Sequence, residues 1–118
     1  MPEDPQDPLI TVTDATFADV VLGARLPVLV DFWAEWCPPC RPVAVSLAEL
    51  AGEFAGRVRI AKLNADENPE TTRAYRVLSM PTLMVFRAGI VVNTIVGARP
   101  KRMLRSALTA AVEPYANR

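Results

Sequence analysis

Residues 28–40 read Val28-Leu29-Val30-Asp31-Phe32-Trp33-Ala34-Glu35-Trp36-Cys37-Pro38-Pro39-Cys40. Val28 to Trp33 is apolar on both faces except at Asp31, the pattern of a central strand covered by helices on each side. Beyond Cys40, the residues Val43, Leu47, Leu50, Ala51 and Phe54 fall at offsets 0, 4, 7, 8 and 11, one apolar stripe of an amphipathic helix. Gly56 supplies a stop for that helix. A buried strand running through a cysteine pair into a helix places Cys37 at the helix N-terminus, where the macrodipole and the free backbone N–H groups stabilise a thiolate. Its pKa is expected to fall toward ambient pH, where attack on a disulfide is fastest. In this reading Cys37 is the outer, attacking thiol, and Cys40, one turn further in, resolves the mixed disulfide and leaves a Cys37–Cys40 disulfide. Pro38 and Pro39 stiffen the ring and remove two N–H groups, so the thiolate relies mainly on the Cys40 N–H.

Outward from this core the chain alternates short apolar runs with amphipathic stretches, which predicts an α/β domain. On the N-terminal side, Leu9–Val12 reads as a short strand, with Thr13 or Asp14 as the N-cap of a helix carrying Phe17, Val20 and Val21 and ending at Gly23. On the C-terminal side, Arg57–Asn64 reads as a strand and Asp66–Tyr75 as a short helix. Thr82–Arg87 and Ile90–Val96, separated by Ala88-Gly89, read as a hairpin. Gly97 breaks the second of these strands. Pro100, at a first helical position, opens a last helix with Leu104, Ala107, Leu108 and Ala111 inward. The predicted order is β-α-β-α-β-α-β-β-α. Residues 1–8, with three prolines and three acids, read as a flexible tail ahead of a domain spanning 9–116.

Composition narrows the chemistry. The 118 residues suit one domain, and the absence of histidine excludes Ser-His-Asp triads, Cys-His pairs and H-E-x-x-H zinc sites. Two cysteines close a four-ligand zinc site only with carboxylates or a second chain, so no metal is expected; pairing of C-x-x-C motifs between chains is the remaining zinc reading. The 13 basic and 13 acidic side chains cancel, which argues against a nucleic-acid partner. Arg99, Lys101, Arg102 and Arg105 read as a solvated helix face. No run approaches the roughly 18 apolar residues of a membrane span, and the first residues lack the basic and apolar regions of an export signal. The expected location is the cytoplasm, where a close cysteine pair is catalytic or metal-binding more often than a structural staple.

Three separated segments, Val28–Cys40, then A-K-L-N-A-D-E-N-P at 61–69, then S-M-P-T-L-M-V-F-R-A-G at 79–89, resemble the thioredoxin family in family order. The resemblance runs from about Leu9 to Val112. It implies a central mixed five-stranded sheet flanked by four helices, with the final hairpin antiparallel to the rest. It also implies a protein-disulfide reductase that binds no cofactor itself and is restored by a flavoprotein reductase using NADPH and FAD, working as a monomer on disulfide-containing proteins. Asp31 matches the family's buried aspartate; in an apolar strand its pKa should rise, which suits a proton acceptor for Cys40. Lys62 is then the cation that moderates it. Pro81, in Met80-Pro81-Thr82, matches the family's cis-proline facing the disulfide. Trp36, Met80, Pro81, Val96 and Gly97 would form the apolar apron that receives substrate, with Trp33, Pro38 and Pro39 structural beside it.

The chain departs from the family pattern in two places. Pro38 replaces the usual glycine, which leaves the redox poise open. The family's helix proline is Val45 here, and Pro42 lies three residues earlier, where loss of a hydrogen bond is expected to distort the first turns. Two other functions stay open beside the reductase: a disulfide oxidant or isomerase, and a binding subunit in which the cysteines are dispensable.

Overall fold

Seven residues of the segment quoted above become β2 and the first residue of α1 in the computed structural model, which describes residues 7–113. The strands are β1 (Ile10–Thr11), β2 (Val28–Trp33), β3 (Arg59–Asn64), β4 (Thr82–Arg87) and β5 (Ile90–Val96). The helices are α1 (Cys40–Glu53), α2 (Pro69–Ala74) and α3 (Lys101–Val112), with a π-helical segment at Ala18–Leu22 as the fourth helical element. The sheet order is β1-β3-β2-β4-β5; β1, β3 and β2 run parallel, and β4 and β5 are antiparallel to their neighbours. This is the mixed, helix-flanked sheet that the family resemblance implies.

The two-residue period of β2 sorts its side chains between two cores. Leu29 faces α1 and α3, packing with Val43, Leu47, Leu50, Leu104 and Leu108. Val28, Val30 and Phe32 face the other layer, with Phe17, Val21, Val77 and Phe86. Asp31 has the parity of Leu29. It therefore points toward the α1 layer, and Lys62, its register partner on β3, shares that parity with Ile60. Strand periodicity alone thus puts a carboxyl and an ammonium side by side under the helix that starts at Cys40.

Several local expectations shift by a residue or change partner. Pro100 is the N-cap residue rather than the first helical one, with α3 beginning at Lys101. α2 starts at Pro69 instead of Asp66, because the Asn64 side chain accepts the N–H groups of Asp66 (3.0 Å) and Glu67 (3.1 Å) and holds that stretch as a turn. Pro42 breaks nothing. As the third residue of α1 its nitrogen faces Pro38, outside the helix, so no intrahelical bond is lost and α1 is continuous to Glu53. The hairpin signal Ala88-Gly89 adopts positive φ at both residues (53° and 78°), the type I′ geometry that matches strand twist. Of the expected tail, residues 1–6 lie outside the described residues, as do residues 114–116 of the expected domain.

The two candidate caps near the first helical segment divide their work. Thr13 and Thr16 cap each other, Thr13 N–H donating to Thr16 Oγ1 at 2.9 Å and Thr16 N–H to Thr13 Oγ1 at 3.3 Å. Asp14 instead caps α2: its carboxylate accepts the N–H groups of Thr71 (2.8 Å) and Glu70 (3.2 Å), while its own N–H donates to Asn68 Oδ1 (2.8 Å). Asn68, the positional N-cap of α2, makes no cap bond with its side chain, so Asp14 does that work from more than fifty residues away. Asp14→Ala is expected to destabilise the protein by about 1 kcal/mol, as loss of a helix cap does. Denaturant unfolding checks this, and an unchanged midpoint would show that water replaces the cap.

Candidate functional site

The chain leaves β2, makes a turn in which the Cys37 N–H donates to the Ala34 carbonyl (3.2 Å), and enters α1 through Pro38 and Pro39. Pro39 is already helical (φ −63°, ψ −18°), and Cys40 is the first residue of the helix. Cys37 and Cys40 are joined as a disulfide with their Cα atoms 5.4 Å apart. In this oxidised state the Cys40 N–H donates to the Cys37 carbonyl (3.1 Å), not to sulfur. The expected contrast between an outer and an inner thiol is not visible as exposure, since Cys37 is 2% and Cys40 4% exposed. What differs is their backbone setting, Cys37 in the turn and Cys40 in the helix. Both pack with Ala34 against Trp33 and Met80, which puts Trp33 beside the disulfide.

Beneath the disulfide lies a cavity of about 430 Å³, lined among others by Asp31, Trp33, Cys37, Cys40, Val45 and Lys62. Asp31 is buried there, and its Oδ1 has no hydrogen-bond partner. Burial raises its pKa to about 7, with the Lys62 charge pulling the other way. A carboxyl that titrates near neutrality inside a cavity shared with Cys40 is able to take or give a proton. Lys62 does not pair with Asp31. It forms an ion pair with Asp7, whose carboxylate also accepts the Leu9 N–H at 2.9 Å. Burial pushes the Asp7 carboxyl up, but the bonds to Lys62 and Leu9 outweigh it and hold the group below the ordinary carboxylate value.

The Met80–Pro81 peptide is cis. The Gly97 N–H donates to the Pro81 carbonyl at 2.8 Å, and Val96 stands opposite Thr82 in the β4–β5 register. Met80, Pro81, Val96 and Gly97 are thereby gathered at one end of the hairpin, with Met80 against the cysteines. Val96 is half exposed. Trp36 is placed separately: it is 61% exposed, and its indole N–H donates to Asp66 Oδ2 at 2.7 Å. Asp66 and Asp7 both escape a motif reading. Asp66 lies within the quoted segment 61–69 but nothing there marks it as the partner of Trp36, whereas Asp7 could have been found by asking which acid precedes the strand that runs beside Lys62.

Among the described residues, no group of three or more Cys, Asp or Glu is arranged to hold a metal ion, and no helix is long and apolar enough to cross a membrane. A reversible disulfide at the head of a helix, beside a buried carboxyl that titrates near neutrality, defines a dithiol–disulfide oxidoreductase. A sequence model of the thioredoxin family matches residues 8–110. The chain is 52% identical to a thioredoxin of Synechocystis over 97 residues, covering 82% of this chain and 91% of that protein. It is 56% identical to the thioredoxin of Streptomyces clavuligerus over 96 residues (81% and 89%), and 48% identical to that of Mycobacterium tuberculosis over 112 residues (95% and 97%). The chain belongs to the thioredoxin family, and its activity is that of a thioredoxin-type disulfide reductase, which carries its redox equivalents on the cysteine pair and needs no bound cofactor.

Proposed function

We propose that the dithiol form reduces disulfides of cytoplasmic proteins, with the protein acting as a monomer and a flavoprotein reductase using NADPH and FAD to regenerate it. Cys37 attacks the substrate disulfide, and Cys40 resolves the resulting mixed disulfide. Asp31 accepts the Cys40 proton, and Lys62 moderates the charge on Asp31. Trp36, Met80, Pro81, Val96 and Gly97 receive an extended segment of the substrate, the main chain at Met80 pairing with it as an added strand. The observation that carries this reading is the shared cavity of Asp31 and Cys40, which sets a buried carboxyl beside a buried cysteine. Half-exposed Val96, at the hairpin end that carries Pro81 and Gly97, and exposed Trp36, next in sequence to Cys37, supply apolar surface, which supports the docking assignment.

The reduction potential of the Cys37–Cys40 pair tests the direction of electron flow. Equilibration against a glutathione or dithiothreitol series, read by the fluorescence of Trp33 beside the disulfide, is expected to give about −270 mV, the value of a reductant. A value between about −120 and −180 mV would overturn it and make the protein a donor or isomerase of disulfides, with Pro38 as the residue to exchange for glycine first.

A further inference from the structure

Asp7 has no part in the reaction as described so far, yet its side chain lines the cavity that holds Asp31. It is fixed from two directions, by the Lys62 ammonium and by the Leu9 N–H at the entrance to β1. Lys62 stands next to Asp31 on the neighbouring strand and on the same face of the sheet. That is the arrangement in which a lysine would neutralise a buried carboxylate. Among the described residues, however, no ion pair joins the two, and Asp31 Oδ1 is left without a partner. The ammonium that strand register brings to Asp31 is turned to Asp7 instead. Lys62 and Asp7 are 18% and 21% exposed, so their attraction is only partly screened by solvent. The other charged or titratable groups around the cavity are Glu35 after β2, Cys37 and Cys40 at the disulfide, and Arg41 in the first turn of α1.

We propose that Asp7 is a positioning residue for the resolving half of the exchange: it holds the Lys62 ammonium at the outer wall of the cavity and so leaves the Asp31 carboxyl able to take up and return a proton. The inference rests on the reading of Asp31 as proton acceptor for Cys40. In that step the Cys40 thiol gives its proton to the Asp31 carboxylate, and the sulfur electron pair attacks the Cys37 sulfur of the mixed disulfide. The Cys37–substrate bond breaks, and its electron pair leaves on the substrate sulfur, which is protonated from Asp31 or from water. The substrate disulfide is reduced by two electrons, and the cysteine pair is oxidised by two. A carboxylate clamped by an ammonium is too weak a base for this, and a carboxyl with no cation near it stays protonated until higher pH. Asp7 sets the balance between the two.

Loss of the Asp7 charge removes a negative neighbour from the cavity and also frees Lys62 to approach Asp31. Both changes favour the ionised form of Asp31, so the sign is unambiguous. In the Asp7→Asn protein, carbon-detected NMR of the Asp31 carboxyl is expected to show a titration midpoint lower by about one unit. Asp7→Glu, which keeps the charge, should restore the midpoint. The pH profile of mixed-disulfide resolution, followed by stopped flow, should move by the same interval. An Asp31 midpoint that stays in place in Asp7→Asn would overturn the inference, while a rate profile that still tracked that midpoint would leave the role of Asp31 standing. A midpoint that moved without any change in the rate profile would instead remove Asp31 from proton transfer, and Asp7 with it.

Discussion

Replacement of Cys40 by serine is expected to halt the exchange at the mixed disulfide and lower multiple-turnover reduction by about three orders of magnitude or more. The Cα atoms of Cys37 and Cys40 are 5.4 Å apart, and Cys40 is locked in the first turn of α1, so its sulfur is already at bonding reach when the intermediate forms. An intramolecular thiol held in this way gains the large effective concentration of an oriented neighbour, and a serine hydroxyl cannot form the new bond. Attack by Cys37 needs none of this and should survive. A disulfide-bearing protein substrate should therefore accumulate as a one-to-one adduct with Cys40→Ser, visible by mass spectrometry and released by dithiothreitol. Turnover at the wild-type rate would show that some other thiol resolves the intermediate. Wild-type performance of the doubly substituted Cys37→Ser, Cys40→Ser protein in the cell would make this chain a binding subunit whose cysteines are dispensable.

Asp31→Asn is expected to make the oxidised protein more stable and its resolving step slower. The carboxyl titrates near 3.8 in an unstructured chain and near 7 in the fold. Below 3.8 both states are protonated, and the burial of Asp31 carries no ionisation penalty. As pH rises, the unfolded chain releases a proton that the folded chain retains, so stability falls steadily until the folded group also ionises near 7. The interval of 3.2 units (7 minus 3.8) corresponds to roughly 4 kcal/mol, present in full only above neutrality. Denaturant unfolding should thus show Asp31→Asn gaining about 2–4 kcal/mol at pH 9 and little at pH 4. A gain independent of pH would mean that the carboxyl is not the source. The same variant should lose the near-neutral inflection from the pH dependence of resolution, while the rate of Cys37 attack stays close to wild type. With both results, one carboxyl would lower the stability of the fold and speed its chemistry, the trade expected where a destabilising buried group is kept for function.

The central strand was legible because Val28–Trp33 is buried on both faces, a state that only an apolar run tolerates, and the same logic singled out Asp31 as the exception. The stripe Val43, Leu47, Leu50 and Phe54 was legible because helix α1 is amphipathic and its partners are the same apolar face seen from the other side. Asp14 was not assignable, since a capping side chain carries no mark of which helix it caps, and Thr13 next to it was an equally good cap for the nearer one. The effect of Pro42 was misjudged for a related reason. Its distance from Cys40 was plain, but whether it fell in the first turn depended on where α1 begins, and helix boundaries are the least secure part of any pattern reading. Asp7 fell in a segment with no apolar anchor, and composition treats such a segment as unordered. An ion pair with a partly buried lysine and a hydrogen bond from the Leu9 N–H give that residue a fixed place.

The stretch Asn64–Asn68 joins three regions through the side chains of Asn64, Asp66 and Asn68. Asn64 closes the turn, Asp66 grips Trp36, and Asn68 binds the loop at Asp14, which in turn caps α2. Each bond depends on the exact number of residues between the donors and acceptors in the turn. The connection therefore has a fixed length in the way a spacer in a mechanism does, and one residue added or removed there would pull the indole from its anchor and uncouple α2 from its remote cap together. A foreign peptide grafted between β3 and α2 would disturb the anchor of Trp36, whereas the Ala88-Gly89 turn, at the far end of the β4–β5 hairpin from Pro81 and Gly97, is the more forgiving place to lengthen the chain.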